Sequence, residues 1–309
     1  MLLYTHEQYL AHDMGPGHPE SPARLRALLA YLEDSGLMKG LEQRRPAPAG
    51  YEALAQIHTT TYLDELATAQ ARLSSEGGLV ALDPDTALGP GSLEAADLAA
   101  GAAIAAVEAV LGGDHRRAFC AVRPPGHHAE AAGGMGFCIY NNVALGAVSA
   151  LIHPEIDRVA VLDFDVHQGN GTVDICKDRP EILVCSSFQH PFYPHRYTDV
   201  RQENIVNTPL PAGADGPAFR KAVARDWLPA LARHRPQLIL VSAGFDGHRM
   251  DPLAQLMLDE KDFRWITELI VAEANRYAGG RVVSLLEGGY DLGALAQSAA
   301  AHVRVLMAD

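Results

Sequence analysis

Asp165 and His167 are separated by one residue, so on an extended backbone their side chains leave the same side. A carboxylate and an imidazole projecting together beside a glycine-rich turn, Gly169-Asn170-Gly171, make two ligands of a metal site. Asp246, at the end of another apolar run, is the candidate third. Two carboxylates and one imidazole leave coordination positions open, the pattern of a catalytic rather than a structural centre. Any one of the three could cap a helix or sit satisfied in a core, but together they favour a metal. Asp163 shares a face with Asp165 and reads as an acceptor that orients a histidine, or as part of a monovalent-cation site built with backbone carbonyls. The adjacent His127-His128, held by Pro124-Pro125-Gly126, could take a proton from water near neutrality and later give it to a leaving amine. Tyr290 follows Gly288-Gly289, a turn that lets a phenol reach a neighbouring site and stabilise an oxyanion. Phe137 and the pair Phe192-Tyr193 follow glycine or proline, where aromatics could wall a narrow channel or simply pack.

These residues need elements to hold them. Nearly continuous apolar runs at Ala118–Val122, Val159–Phe164, Ile182–Ser186, Leu238–Ala243 and Val282–Leu286 predict strands of a parallel sheet covered on both faces. Helical patterns lie between them. Ser21–Asp34 opens with Ser at the cap and Pro22 in its first turn, Leu93–Leu111 is alanine-rich and apolar almost all round, and Asp262–Tyr277 stops near Gly279-Gly280. The alternation predicts an α/β fold with right-handed crossovers. In such sheets ligands sit beyond the carboxyl ends of the strands, and four of the five runs lead straight into ionisable residues and glycines.

Composition sets the bounds. The chain has 309 residues, 48% hydrophobic and 20% charged, without internal repeat or linker, so a single domain over residues 1–309 is expected. With 25 basic and 38 acidic residues the net charge is −13, which argues against nucleic acid and anionic lipid as partners. No apolar run is long enough to span a membrane, and the start lacks a basic segment followed by an apolar one. The four cysteines suggest neither a disulfide framework nor a zinc knuckle, so a reduced, cytoplasmic chain is expected.

From His18-Pro-Glu-Ser-Pro-Ala-Arg24 to Glu287-Gly-Gly-Tyr290 the motifs RPPGHH, GFC-x-x-NN (Gly136 to Asn142), DFDVHQGNG, SAGFD and EGGY follow one another. In these the chain resembles the histone deacetylase superfamily, nearest its class II and bacterial deacetylase-like amidohydrolases. The resemblance implies the arginase–deacetylase fold and zinc-dependent removal of acyl groups from amines, with an acetyl-lysine peptide or an acetylpolyamine as substrate. It implies Asp165, His167 and Asp246 as zinc ligands, His128 as general base and acid, and His127 as the companion histidine. Asp163 and Asn170 match the partners of that pair, Asn170 standing where class I enzymes carry aspartate. Tyr290 matches the oxyanion-stabilising tyrosine, while Gly136, Phe137, Phe192, Tyr193 and Gly288 line the acyl-amine path. Asp163, Asp165, His167, Ser186 and Ser187 match a structural potassium site, and Arg24 an arginine of the acetate-exit region.

Some positions depart from the pattern. Gln168 replaces a second histidine, and Tyr193 puts a hydroxyl where phenylalanine is common. Asp83 and Asp85 are the candidates for a rim aspartate that grips substrate. An arginase-type binuclear centre would need carboxylates where Gly169 and His248 stand, so one metal is expected. The donor set would also accept ferrous iron or cobalt. Intact candidates for ligands, base and tyrosine disfavour a non-catalytic acyl-amine-binding module, and no G-x-G-x-x-G follows an early strand to support nucleotide binding.

Overall fold

The computed structural model describes residues 1–113 and 115–308. Its strands are β1 (Leu2–Tyr4), β2 (Glu42–Arg44), β3 (Val80–Ala81), β4 (Ala87–Leu88), β5 (Arg117–Cys120), β6 (Val159–Asp163), β7 (Ile182–Gln189), β8 (Ile205–Leu210), β9 (Leu238–Ala243) and β10 (Val282–Leu286). The helices are α1 (Pro22–Asp34), α2 (Tyr51–Leu54), α3 (Thr60–Glu76), α4 (Ser92–Leu111), α5 (Asn142–Ala150), α6 (Asn170–Cys176), α7 (Gly216–His234), α8 (Glu260–Tyr277) and α9 (Leu292–Met307). Eight strands form one parallel sheet in the order β2-β1-β5-β10-β9-β6-β7-β8, and β3 and β4 pair separately as an antiparallel hairpin. Helices α4 and α9 both pack on β5, and α5 and α8 both pack on β9, which places two helical rows on opposite faces of the sheet. The expected α/β architecture is therefore present, and the five apolar runs are its five central strands.

The margins differ from expectation for local reasons. Ala121 and Val122 stay buried but leave the β5 ladder as the chain runs into Arg123-Pro124, where the residue before proline is forced extended. Phe164 likewise lies beyond β6. Strand β7 runs on to Gln189 because β8 pairs along it, and the polar Ser187 and Gln189 concealed that extension. Strand β2, Glu-Gln-Arg, is an edge strand without an apolar pattern, and β8 carries Pro209, which an edge tolerates. Ser21 occupies the α1 cap position, yet its hydroxyl makes no bond to the helix. Helix α8 starts at Glu260 because Asp259 and Asp262 form a reciprocal capping box. All four cysteines are buried and unpaired, and among the described residues no helix is long and apolar enough to cross a membrane.

A buried ionic cluster ties the N-terminal segment to the sheet. Glu20 receives Arg123 Nε at 2.6 Å and Nη2 at 2.7 Å, and Arg24 Nη1 at 3.0 Å, with all three side chains fully buried. Burial raises the Glu20 carboxyl, but Arg123 and His12 outweigh it and hold it well below the usual carboxylate range. Removing the shared anion leaves two guanidinium groups buried without it. Glu20→Ala is expected to lower unfolding stability by about 3–5 kcal/mol, read as a denaturant midpoint that falls at unchanged slope. A midpoint within about 1 kcal/mol of the parent would show that the arginines find other partners.

Candidate active site

The central strands β5, β10, β9 and β6 are neighbours in the sheet, so their carboxyl ends place four loops side by side. The β6 loop contributes Asp165 and His167, and the β9 loop contributes Asp246. One ligand atom from each lies within 4.8 Å of the others, all three residues are buried, and this is the one such cluster of His, Cys, Asp or Glu among the described residues. His167 Nδ1 stands 3.1 Å from Asp165 Oδ1 and 3.1 Å from Asp246 Oδ2. The remaining carboxylate oxygens are held from behind. Gly288 N donates to Asp165 Oδ2 at 2.9 Å, and Val166 N to Asp246 Oδ1 at 2.9 Å. A Cβ at Gly288 would collide with both carboxylates, which explains a glycine there. Burial and the Asp165 carboxylate push Asp246 up to about 7, a repulsion between two buried anions that a divalent cation relieves. The residues present thus fit a single cation.

The β5 loop brings the two histidines, whose ring centres lie 4.0 Å apart, beside this cluster. His127 Nδ1 donates to Asp163 Oδ2 at 3.0 Å, and its Nε2 lies 3.7 Å from Asp165 Oδ1. Burial lowers the His127 imidazole, but Asp165 and Asp163 outweigh it and hold its pKa well above the ordinary 6.5. His128 Nδ1 donates instead to a neutral partner, Asn170 Oδ1, at 2.6 Å. Burial, His127 and His167 together push His128 well below 6.5. The adjacent rings are therefore unlike: one is held as a cation and the other neutral, with Nε2 unprotonated.

Tyr290 is half-buried at the β10 loop, with its backbone N–H donating to Asp251 Oδ2 at 2.7 Å. Its ring lies edge-on to Phe137 at 5.7 Å and under the Arg24 guanidinium at 4.9 Å. Burial, opposed by Arg24 and reinforced by Asp246 and Asp165, holds the phenol well above 10. Arg24, implied for an exit region, donates to Gly289 O at 2.6 Å and Glu287 O at 2.5 Å, so it braces the Tyr290 turn. Phe192 stacks on His167 at 5.3 Å, and Tyr193 meets His128 edge-on at 5.2 Å. The Tyr193 hydroxyl is buried without a partner. Gly136 at φ +56° lies so close to the His128 ring that a Cβ would overlap it, and Phe137 follows at φ +69°. Asp85 Oδ1 accepts Gly136 N at 3.2 Å and Asp83 Oδ1 accepts Asp85 N at 2.9 Å, which ties both rim candidates to the segment that carries Phe137. The Ser186 and Ser187 hydroxyls are buried without partners, Ser186 directly opposite Asp163 in the sheet. His248 stacks on Phe263 and faces Glu260 at 3.5 Å, away from the cluster, while Gln168 Nε2 reaches Asn207 Oδ1 at 3.4 Å.

Several supporting groups have no sequence expectation. Glu287 Oε2 accepts Gly126 N at 2.7 Å and His127 N at 3.2 Å, and its Oε1 accepts Ser242 Oγ at 3.1 Å. It lies 161 residues from Gly126, and only its place in the Glu-Gly-Gly-Tyr motif hinted at it. Glu130 and Asp251 escaped in the same way.

This fold and this cluster of groups define a hydrolase of the deacetylase class. The chain belongs to the histone deacetylase family, whose histone deacetylase domain matches residues 18–306. It is 42% identical over 281 residues to the histone deacetylase-like amidohydrolase of Pseudomonas aeruginosa, covering 89% of this chain and 73% of that one. With a probable deacetylase of Archaeoglobus fulgidus it shares 36% over 298 residues, covering 94% and 81%. Its structure resembles the crystal structure of the HDA15 HD domain with a TM-score of 0.92 at 30% identity, over 99% of this chain and 87% of that one.

Proposed function

We propose that the protein is a zinc-dependent deacetylase that hydrolyses the amide of an acetylated primary amine, of acetyl-lysine or acetylpolyamine type, to acetate and free amine. The observation that carries this reading is the convergence of Asp165, His167 and Asp246 beside His128, whose ring is oriented by Asn170 Oδ1. Zinc held by those three residues supplies Lewis-acid polarisation of the amide carbonyl and lowers the pKa of an adjacent water towards 7. Phe137, Phe192 and Tyr193, whose rings stand against Tyr290, His167 and His128, would wall the path of the acyl-amine. His128 Nε2 takes the proton of the attacking water, because its Nδ1–H is already committed to Asn170. Tyr290 remains protonated at neutral pH and donates its O–H to the developing oxyanion. His127, kept cationic by Asp163, stabilises the same negative charge, and His128 returns its proton to the departing amine. Ser186, Ser187 and Asp163 would hold a potassium ion that stiffens the β6 loop, a use their orphaned hydroxyls support. Asp83 and Asp85 at the wall favour a substrate with a second, cationic amine.

The test is turnover of acetyl-lysine peptides and acetylpolyamines by chelated protein, before and after zinc, ferrous iron or cobalt is restored. Hydrolysis is expected to vanish on chelation and to return with one equivalent of zinc. No turnover of either class with any of the metals would defeat the proposal, and faster turnover of acetylpolyamines would identify the cationic class.

A further inference from the structure

An asparagine amide has one accepting and one donating end of nearly equal shape, so which way it stands is set by its surroundings. Asn170 presents Oδ1 to His128 Nδ1 at 2.6 Å and Nδ2 to Glu130 Oε1 at 2.7 Å. A carboxylate only accepts, so Glu130 requires the donating end of the amide. The other end must then accept, and His128 Nδ1 must carry the hydrogen. Turned over, Asn170 would donate to His128 Nδ1 and select the opposite tautomer, whose Nε2 already bears a proton and takes up no other. The rest of the surroundings select weakly, since Nδ2 otherwise meets only His128 O and Met135 Sδ, each at 3.3 Å.

We propose that Glu130 is a positioning residue, which fixes the orientation of the Asn170 amide and thereby the ring nitrogen of His128 that is free to accept a proton. This role rests on His128 acting as the base, as argued above. The carboxylate is placed rigidly. Glu130 N donates to Gly133 O at 2.9 Å, Glu130 O accepts from His58 Nδ1 at 3.0 Å, and the side chain is 14% exposed. Its Oε2 accepts Arg196 Nη1 at 2.9 Å. Arg196 lies three residues beyond Tyr193, so one carboxylate holds both the base's partner and the segment that forms the channel wall.

Four variants of the zinc-loaded enzyme test this: Glu130→Ala, Glu130→Gln, Asn170→Asp and the double variant E130A/N170D. Glu130→Ala is expected to lower kcat by about 10–100-fold, the range for a group that orients a catalytic side chain, with KM changed less than twofold. Glu130→Gln has a single oxygen for Asn170 and Arg196 and an amide that can itself turn over, so its kcat is expected to fall between those of the parent and Glu130→Ala. Asn170→Asp sets two carboxylates face to face and lowers kcat on its own. Combined with Glu130→Ala it is expected to recover, because a carboxylate accepts from His128 whichever way it stands. A merely structural Glu130 produces no such recovery. A second readout is the downfield imidazole Nδ1–H proton resonance of His128, identified by its loss in His128→Ala. That signal is expected in the parent, to be weakened in Glu130→Gln and to be missing from Glu130→Ala, with the His127 signal as control. Undiminished kcat in folded Glu130→Ala, a double variant as impaired as the product of the singles, or a His128 signal that survives in Glu130→Ala overturns the role. A parent without turnover defeats the deacetylase proposal instead, and the proton resonances still decide on Glu130.

Discussion

Asp246→Ala is expected to bind no divalent ion tightly and to hydrolyse an acetylated amine at least about 10³-fold more slowly than the parent, several kcal/mol of lost charge stabilisation. The geometry singles out this ligand. Asp246 comes from β9, whereas Asp165 and His167 share the β6 loop, so its removal takes away the one donor that closes the cluster across two strands. Its loss should not unfold the chain. Asp246 is pushed up to about 7 by burial and by Asp165, so without metal its ionised form is a liability rather than a support. The metal-free variant is accordingly expected to melt at or above the metal-free parent. Zinc at about 100 times its Kd stabilises the parent by about 2.7 kcal/mol, roughly 4 °C for a chain of this size. The same addition should leave Asp246→Ala unmoved. An equal thermal response in both proteins would mean that the ion sits elsewhere, and the assignment of the three ligands would fall with it.

The legible parts of this site share one property: the signal lay within a few residues. Asp165 and His167 announced themselves by a two-residue spacing, and the chemistry after four of the five apolar runs by the rule that parallel sheets bind at their carboxyl ends. That these strands are mutual neighbours was not legible, because strand order is decided by crossovers and not by any one segment. The supporting groups were hidden for a related reason. A glutamate in a turn looks like any solvated carboxylate until its partner is known, and Glu287 and Glu130 find theirs 161 and 40 residues away. Asp251, two residues before Leu253, caps its own turn and also holds Tyr290 N, a double use that only the fold reveals. Edge strands β2 and β8 escaped because an edge need not be apolar on both faces, so the pattern that located the central strands does not apply to them. Even the Arg24 expectation needed the structure. Its motif implied the acetate-exit region, and the structure adds that its hydrogen bonds go to the carbonyls of the Tyr290 turn.

That bracing makes Tyr290→Phe an informative substitution. Three contacts place the Tyr290 ring without using its hydroxyl: the Asp251 bond to its backbone N–H at 2.7 Å, the edge-on Phe137 ring at 5.7 Å and the Arg24 guanidinium at 4.9 Å. A phenylalanine keeps all three, so the variant should retain the shape of the channel and with it the affinity for substrate. What it loses is one donor, and the phenol is a competent donor throughout the neutral range because burial holds its pKa well above 10. A donor that meets an oxyanion present only in the transition state contributes to kcat and not to ground-state binding. Removing such a donor costs about 10²–10³ in kcat, with KM expected to stay within about twofold. Tyr290→Ala, by contrast, removes the wall as well and should raise KM in addition. Steady-state kinetics on one acetylated substrate separate the cases. A Tyr290→Phe enzyme whose loss lies mainly in KM would make the hydroxyl a substrate-binding group, and one with unchanged kcat would leave the oxyanion to His127 and the metal alone.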